Sequence, residues 1–377
     1  MGCALACVGL AEASAEPPRA AAVSPRPTPP SAILPAAYPT PLDIPRPLDL
    51  RLPTDNRALF DGPPETFFMG VDRTTEGKTQ LVWQGGQYGF VRNPFKLGEE
   101  TVYTRFHEGI DIAPTLRDQR GEPLDLVRAI SGGRVVFTND RPRASNYGNY
   151  VVVEHDWGYG AFYSLYAHLM RVDAVPGSEV KKGDVLGRLG YTGSGLDRRR
   201  AHCHLEVNML LSSRFEHWQQ QAAAPAGEDA PPPAPNLFHG HNLAGLDAAA
   251  LFKAAATDPA LTIPRFLATQ QPYFKVLAPA GPEWPDILRR YPWLCPLALS
   301  PKTAIACPSW EIAFSASGLP LSLKPSAQAT PQPIVVAVVP FAGKHSWKTM
   351  GRVGGTGTAA ELTRKGASYI DLLLGRF

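Results

Sequence analysis

Short segments rich in β-branched and aromatic residues dominate the chain between residues 79 and 210. They alternate or have the composition of strands, and glycine, asparagine and proline stand between them. No amphipathic helix of ordinary length interrupts the pattern. The sequence therefore predicts a mainly β domain with an antiparallel sheet. The predicted strands are Thr79–Trp83, Gly133–Thr138, Tyr150–Glu154, Ala161–Tyr166 and Cys203–Met209.

Proline marks the borders of this domain. The 377 residues include 39 prolines, roughly twice the usual share of ~5%. Residues 16–48 and 216–235 are too proline-rich to build a core, and they predict two linkers. The linkers separate a domain at 49–215 from a C-terminal accessory domain at 236–377, which is long enough for its own core.

The first 15 residues predict that the protein is exported from the cytoplasm. Cys3–Leu10 is a short apolar run, and Ala13-Ser14-Ala15 fits a signal-peptide cleavage site, although a basic start is missing. A lipoprotein box at Leu5-Ala6-Cys7 is the weaker alternative. We expect an exported protein, periplasmic or extracellular, with no transmembrane span, because no other stretch reaches ~18 apolar residues. Whether Cys295 and Cys307 form a disulfide stays an open question.

The net charge of the chain indicates which kinds of binding partner are expected. A net charge of +3 and an isoelectric point near 8.5 are too mild to indicate nucleic acid binding. The same charge is compatible with an anionic polymer. The sequence therefore predicts no nucleic acid partner.

Two histidines occur as His202-Cys203-His204 in the last predicted strand. Successive side chains of a strand point to opposite faces, so the two imidazoles share a face, about 7 Å apart, while Cys203 points away. One imidazole can bind a metal while the other reaches the attacking water. A lone His-x-His motif is weak evidence for a metal site. A second motif, which combines a histidine with an aspartate, lies upstream.

That upstream motif is His107-Glu-Gly-Ile-Asp111. On a helix it would imitate the H-E-x-x-H zinc peptidases, with Glu108 in the place of their general base. Gly109 is a poor helix residue, and Ile110 onwards alternates like a strand. A turn at Gly109 can instead bring His107 and Asp111 around one ion. With His204 they form a three-ligand set that leaves one position for water, as in catalytic zinc sites.

In its histidine motifs the chain resembles the lysostaphin-type (LytM-type) zinc metalloendopeptidases, which cut bacterial cell walls. Their motifs are His-x-x-x-Asp, Tyr-x-His-Leu and His-x-His followed by a hydrophobic residue, Glu and Val or Ile. Here these are His107–Asp111, Tyr166-Ala-His168-Leu and His202–Val207, and the resemblance covers residues 85–212. It implies the lysostaphin-like β fold.

The resemblance also implies roles for five residues. His107, Asp111 and His204 would bind Zn²⁺, while His168 and His202 would act on the attacking water and the developing oxyanion. Which of the two histidines does which stays open. The substrate would be the stem peptides or cross-bridges of peptidoglycan. The alternative is a non-catalytic relative that binds the wall or activates other wall hydrolases, and the intact set of five residues favours hydrolysis.

One loop departs from the family pattern. Arg198-Arg199-Arg200 lengthens the approach to His202. A solvated charged loop is the simpler interpretation. The sharper hypothesis is that these arginines line the groove and pair with carboxylates of stem peptides.

Other histidines are predicted to lie outside the site. His155 is expected to be structural and His217 to be solvated. His239-Gly-His241 is a second His-x-His without an acidic partner at family spacing. We therefore expect no metal there.

The C-terminal accessory domain is predicted to be α+β. Asp247 can cap an alanine-rich helix that ends before Pro259, and residues 310–315 and 333–339 predict strands. Thr358 and Glu361 have capping-box spacing ahead of a final helix that runs through Leu374. The sequence does not indicate the role of this domain. One prediction is that the domain binds a protein partner.

Overall fold

The computed structural model describes residues 45–75, 77–222, 236–295 and 307–377. The predicted signal segment, the first linker up to residue 44 and residues 223–235 of the second linker lie outside these ranges. Labels β1–β21 and α1–α8 follow chain order within the described residues.

The strands up to residue 246 contain all five that the sequence predicts, and their ends differ from the predicted ends by at most three residues. They are β1 Val71–Thr75, β2 Lys78–Val82, β3 Gly89–Leu97, β4 Glu100–His107, β5 Ile110–Ile112, β6 Leu126–Arg128, β7 Gly133–Asn139, β8 Asn149–Asp156, β9 Ala161–Leu169, β10 Arg171–Val172, β11 Glu179–Val180, β12 Val185–Arg188, β13 Cys203–Leu210 and β14 Leu243–Leu246. The helices are α1 Ala58–Asp61, α2 Pro64–Phe67 and α3 Phe215–Ala222, and the 3₁₀ turns are Trp83–Gly86, Arg198–Arg200 and Gly240–Asn242.

The remaining elements follow Asp247. The helices are α4 Ala248–Thr257, α5 Ile263–Leu267, α6 Asp286–Arg290, α7 His345–Lys348 and α8 Arg364–Leu374, with a 3₁₀ turn at Pro292–Leu294. The strands are β15 Phe274–Pro279, β16 Ser309–Phe314, β17 Pro320–Ser326, β18 Ile334–Val338, β19 Phe341–Lys344, β20 Val353–Gly357 and β21 Ala359–Leu362. In the part of the chain that the structure describes, no helix is long and apolar enough to cross a membrane.

A seven-stranded antiparallel sheet forms the centre of the molecule, in the order β11-β7-β8-β9-β13-β14, with β5 also paired to β13. Strand β13 has β9 along one edge, while β5 and β14 share the other edge. All eight residues of β13 are buried, because other elements cover both faces of the sheet. The prediction of a mainly β, antiparallel fold is confirmed.

The segment before β3 packs on this sheet. Phe67 and Phe68 are buried, and Phe68 forms a β-bridge with Ile112 of β5. The amide of Met69 donates to the carbonyl of Asp111 at 2.7 Å. Strand β5, which is only three residues long, is therefore supported on both edges.

Ordered structure reaches into the edges of both predicted linkers. Leu48, the last residue of the first linker, is buried, and its amide donates to the carbonyl of Leu261. The second linker was predicted to start at residue 216, but residues up to Ala222 continue helix α3, because Phe215 is buried and stacks on Trp218. The domain borders themselves stay predictions.

The C-terminal part combines an antiparallel sheet, in the order β17-β16-β15-β18, with a small sheet β19-β20-β21. Asp247 caps α4 as predicted, by accepting from the amide of Ala250. The capping box at Thr358 is wrong: residues 359–362 pair with β20, and Thr363 caps α8 by accepting from Gly366. Cys295 is buried and Cys307 is half-buried, and the disulfide between them stays a prediction.

The C-terminal part is joined to the central sheet through strands and buried polar groups. Strand β14 pairs with β13, and the Tyr291 hydroxyl lies between two strands of that sheet. This hydroxyl accepts from the amide of Leu210 at 2.9 Å and donates to the carbonyl of Ala161 at 2.7 Å. One continuous hydrophobic core runs through both parts.

Candidate metal centre

His107 and Asp111 lie at the ends of two strands that meet at a bend. Strand β4 ends at His107, residues 108 and 109 form the bend, and β5 contains Asp111. The helical alternative for this motif is therefore excluded, and the predicted turn is confirmed. The reason for glycine differs from the expectation: a Cβ at Gly109 would lie 2.3 Å from the carbonyl oxygen of Leu205, so glycine permits the close approach of the bend to β13.

The register of β13 brings His204 to these two residues. His204 pairs with Asp111 of β5 on one side and with Ala167 of β9 on the other. Its Nδ1 lies 2.8 Å from Asp111 Oδ1 and 3.2 Å from His107 Nε2, and His107 Nε2 lies 3.1 Å from Asp111 Oδ1. All three residues are buried.

These spacings fit a tetrahedral zinc ion. Zinc binds histidine nitrogen and carboxylate oxygen at about 2.0–2.2 Å, so two tetrahedral ligands lie roughly 3.3 Å apart. The three distances between ligand atoms in this chain are 2.8, 3.1 and 3.2 Å. His107, Asp111 and His204 form the only such cluster of potential metal ligands found among the described residues.

The second nitrogen of each histidine in the motifs is held by an acceptor, which fixes the tautomer of the ring. A nitrogen that donates to an acceptor leaves the lone pair of the other nitrogen directed away from that acceptor. The held nitrogens and their acceptors are His107 Nδ1 with the carbonyl of Gln87 at 2.7 Å, His168 Nδ1 with the carbonyl of Thr192 at 2.8 Å, His202 Nδ1 with the carbonyl of Arg200 at 2.6 Å, and His204 Nε2 with Glu206 Oε1 at 3.0 Å.

When both rings are neutral, lone pairs of His107 Nε2 and His204 Nδ1 face each other beside an anionic carboxylate. Such a cluster is repulsive unless a cation lies within it. Burial lowers the pKa of His204, but hydrogen bonds to Asp111 and Glu206 outweigh burial and raise it to about 10, so a proton on Nδ1 supplies the positive charge when no metal ion is bound. Burial also lowers the pKa of His107, which keeps that imidazole neutral. The donor set therefore fits a divalent metal ion that prefers nitrogen and oxygen ligands.

His168 and His202 flank this cluster. His202 Nε2 lies 3.3 Å from Asp111 Oδ1, and the ring centroids of His202 and His168 are 4.8 Å apart. His168 has a backbone φ of 63°, a left-handed conformation that is uncommon for a residue with a side chain. Hydrogen bonding of its amide to the carbonyl of Tyr147 supports this conformation. All five predicted site residues thus come together.

A comparison with protein-family models identifies the segment of the chain that contains these five residues. The model of Peptidase family M23 matches residues 105–216, which contain all five residues. These residues form an M23 domain. The resemblance to lysostaphin-type peptidases is thereby confirmed, and the chain carries a domain of a peptidoglycan-related peptidase family.

Several individual proteins are similar to parts of the chain. The Lipoprotein NlpD/LppB homolog of Pseudomonas aeruginosa is 36% identical over 96 residues, which are 26% of this chain and 28% of that protein. The catalytic domain of lysostaphin from Staphylococcus simulans is 27% identical, with a TM-score of 0.22, over 32% of this chain and 75% of that one. A zinc containing peptidase from Vibrio cholerae is 22% identical, with a TM-score of 0.24, over 38% and 36% of the two chains. The chain therefore spans less than a third of the lipoprotein's length.

Two residues of the M23 domain support His204 and have no role in the sequence prediction. Glu206 is buried and accepts from His204, from the Tyr147 hydroxyl at 2.8 Å and from Asn208 at 2.9 Å. These hydrogen bonds outweigh burial and lower the pKa of Glu206, so it remains a carboxylate. Strand periodicity could have revealed Glu206, since it follows His204 by two positions on one face. Tyr147 has no comparable signal.

A third residue, Arg92, supports the carboxylate ligand. Arg92 Nη2 lies 2.6 Å from Asp111 Oδ2, the oxygen that is turned away from the imidazoles. Its Nε donates to the carbonyl of Gly85 at 2.8 Å, which fixes the guanidinium. The pairing leaves Oδ1 of Asp111 for the cluster. No local sequence pattern links Arg92 to the motif, because the β3–β4 hairpin makes the contact.

The three arginines before His202 have partners within the M23 domain and the preceding hairpin. Arg199 pairs with Asp72 of β1 at 2.8 Å, and Arg198 pairs with Glu122 at 2.8 Å. The carbonyl of Arg200 holds His202. The structure thus gives this loop a role in orienting His202, and the hypothesis that Arg198, Arg199 or Arg200 binds substrate carboxylates stays a prediction.

Four further histidines, His155, His217, His239 and His241, lie outside the cluster. His155 is fully buried, donates to the carbonyl of Gly132 at 2.8 Å and contacts the Ser164 hydroxyl at 2.7 Å. His217 is exposed on α3. His239 and His241 have ring centroids 5.0 Å apart and belong to no metal-binding cluster within the described ranges.

Proposed function

We propose that this chain is an exported zinc-dependent endopeptidase that hydrolyses peptide cross-links of bacterial peptidoglycan. The observation that supports this most is the convergence of His107 Nε2, Asp111 Oδ1 and His204 Nδ1 within 3.2 Å of one another. The two further imidazoles beside the cluster distinguish this arrangement from a purely structural site, which closes its coordination with protein ligands. His107, Asp111 and His204 would hold the ion.

When bound, zinc polarises the scissile carbonyl and lowers the pKa of water from about 15.7 towards 7. His202 and His168 do the proton chemistry in this proposal. Each has its Nδ1 proton fixed on a backbone carbonyl, so each Nε2 can accept a proton from the attacking water or pass one to the departing amine. A protonated imidazole at the other position stabilises the developing oxyanion.

The rival function is a non-catalytic wall protein that activates other hydrolases. The similarity to a lipoprotein over 96 residues is compatible with either function. The proposed enzyme keeps every ligand and both additional histidines, whereas a regulator has no need of four oriented imidazoles around one point. The hydrolase is therefore the better-supported function.

Metal content and muropeptide release from purified sacculi test the proposal. We expect about one zinc per chain, release that stops with a chelator and returns with zinc, and loss of both zinc and release in His204→Ala. The matched control is His217→Ala, which removes an exposed histidine outside both the cluster and any cleft lining, and which should keep both. Full release by zinc-free protein would refute the mechanism, and bound zinc without release on any wall type would favour the rival.

A further inference from the structure

A cleft of ≈ 890 Å³ lies beside the metal centre, and the function proposed above leaves it without a role. Its walls come from the loop after β7, from residues 236–245 and from the C-terminal part. Tyr147 and Ser194 form part of its rim. Tyr147 supports Glu206 through its hydroxyl and His168 through its carbonyl, so the cleft begins one residue away from the catalytic cluster.

Cations dominate the lining of this cleft. Five arginine or lysine residues face one carboxylate, that of Glu108. Among the described residues, Arg105, Arg143 and Lys365 have no ion-pair partner, and all three are exposed. The fourth cation, Arg352, is fixed by a hydrogen bond to the carbonyl of Ser317 and by stacking on Tyr369. The fifth is Arg141.

The floor of the cleft is partly apolar. Aromatic rings of Phe137, Tyr150 and Trp218 and the side chain of Leu372 line it. A volume near 900 Å³ suits a ligand of several residues. A phosphate polymer has charge but little apolar surface to place on such a floor. A short peptide with free carboxylates and alkyl side chains matches both the rim and the floor.

We infer that this cleft is a binding subsite for the free carboxylates of an acidic peptide, with one wall supplied by the C-terminal part. The inference rests on the proposed function, because the acidic peptide would be the stem peptide of the substrate. Guanidinium groups of Arg105 and Arg143 bind carboxylates in two-point contacts. Lys365 on α8 adds a third cation to the lining, which gives the C-terminal part a role in substrate selection.

Binding of an uncross-linked stem tetrapeptide tests the inference without hydrolysis. The probes are L-alanyl-γ-D-glutamyl-diaminopimelyl-D-alanine and its fully amidated analogue, titrated into the zinc-loaded full chain. We expect the acid to bind at least ten-fold more tightly than the amide. Arg105→Gln/Arg143→Gln should remove that difference, and Lys365→Gln alone should reduce it several-fold.

The control is Arg57→Gln/Arg289→Gln, which removes two exposed arginines outside the cleft and changes the net charge equally. It should bind like the wild type. Equal binding of acid and amide, unchanged binding by the double cleft variant, or preferential binding of poly(glycerol phosphate) would each overturn the inference. Failure of the wild type to cleave sacculi would refute the proposed hydrolase while the binding difference could still be measured.

Discussion

At the scale of single residues, the groups that hold the ligands matter as much as the ligands. Each of the three proposed metal ligands has a partner on its far side: Gln87 for His107, Glu206 for His204 and Arg92 for Asp111. Such partners orient a ligand and keep its lone pair directed at the ion. Arg92 is the one among them that carries a charge opposite to its ligand.

We predict that Arg92→Met weakens zinc binding by about 10- to 100-fold, the range typical for loss of an outer partner. Without the guanidinium, Asp111 Oδ2 loses its 2.6 Å contact and the carboxylate is free to rotate. Competition with a chromogenic chelator measures the affinity. Lys96→Met removes an exposed cation from the same strand and should have no effect. Equal affinities of the two variants would contradict a positioning role.

The five residues of the cluster were predictable because they sit in motifs of fixed local spacing. His204 lies in β13 and His202 directly precedes that strand, while His107 and Asp111 flank one bend. Arg92 and Tyr147 were not predictable, since they reach the cluster through a hairpin and a loop. Their contribution depends on tertiary contacts that one sequence does not display.

At the scale of elements, the short strand β5 and the bend before it determine where Asp111 lies. The bend is pressed against β13 so closely that only glycine fits at position 109. The sequence predicted the turn but not this contact. It also gave helical capping spacing to Thr358, although the following residues pair as β21, because strand pairing overrides a local capping pattern.

We predict that Gly109→Ala displaces β5 from β13 and lowers zinc affinity by more than ten-fold. The added methyl would overlap the carbonyl of Leu205, so the strands must separate, at a cost of about 1–3 kcal/mol in the free energy of unfolding. Chelator competition and urea unfolding measure the two effects. Gly132→Ala is the control, because its Cβ would meet its nearest atom at an ordinary 3.6 Å. Wild-type affinity in Gly109→Ala would show that β5 tolerates the shift.

At the scale of the whole molecule, the C-terminal part extends the central sheet and shares its core. Strand β14 completes one edge of β13, and Tyr291 inserts its hydroxyl between Leu210 and Ala161. The composition and the proline-rich linkers predict two separate domains. Neither feature indicates which distant strands pair with each other. The central sheet and the C-terminal part should therefore unfold together.

We predict that Tyr291→Phe lowers the free energy of unfolding by about 1–3 kcal/mol, because it leaves a buried amide and a buried carbonyl without a partner. Urea unfolding, followed by tryptophan fluorescence and by far-ultraviolet circular dichroism, should show one transition at a lower midpoint. Tyr159→Phe is the matched control, since no described residue hydrogen-bonds its hydroxyl. Two separate transitions in the wild type would contradict a shared core.

The backbone carbonyls behind His107, His168 and His202 come from the turn before β3 and from the connection between β12 and β13, and each is set by the fold. The rings have therefore already lost their rotational freedom when the polypeptide folds, before any ion arrives. Ion capture then carries little additional entropic penalty. Reloading of the stripped protein should be fast and second-order, limited by how quickly an ion reaches the site.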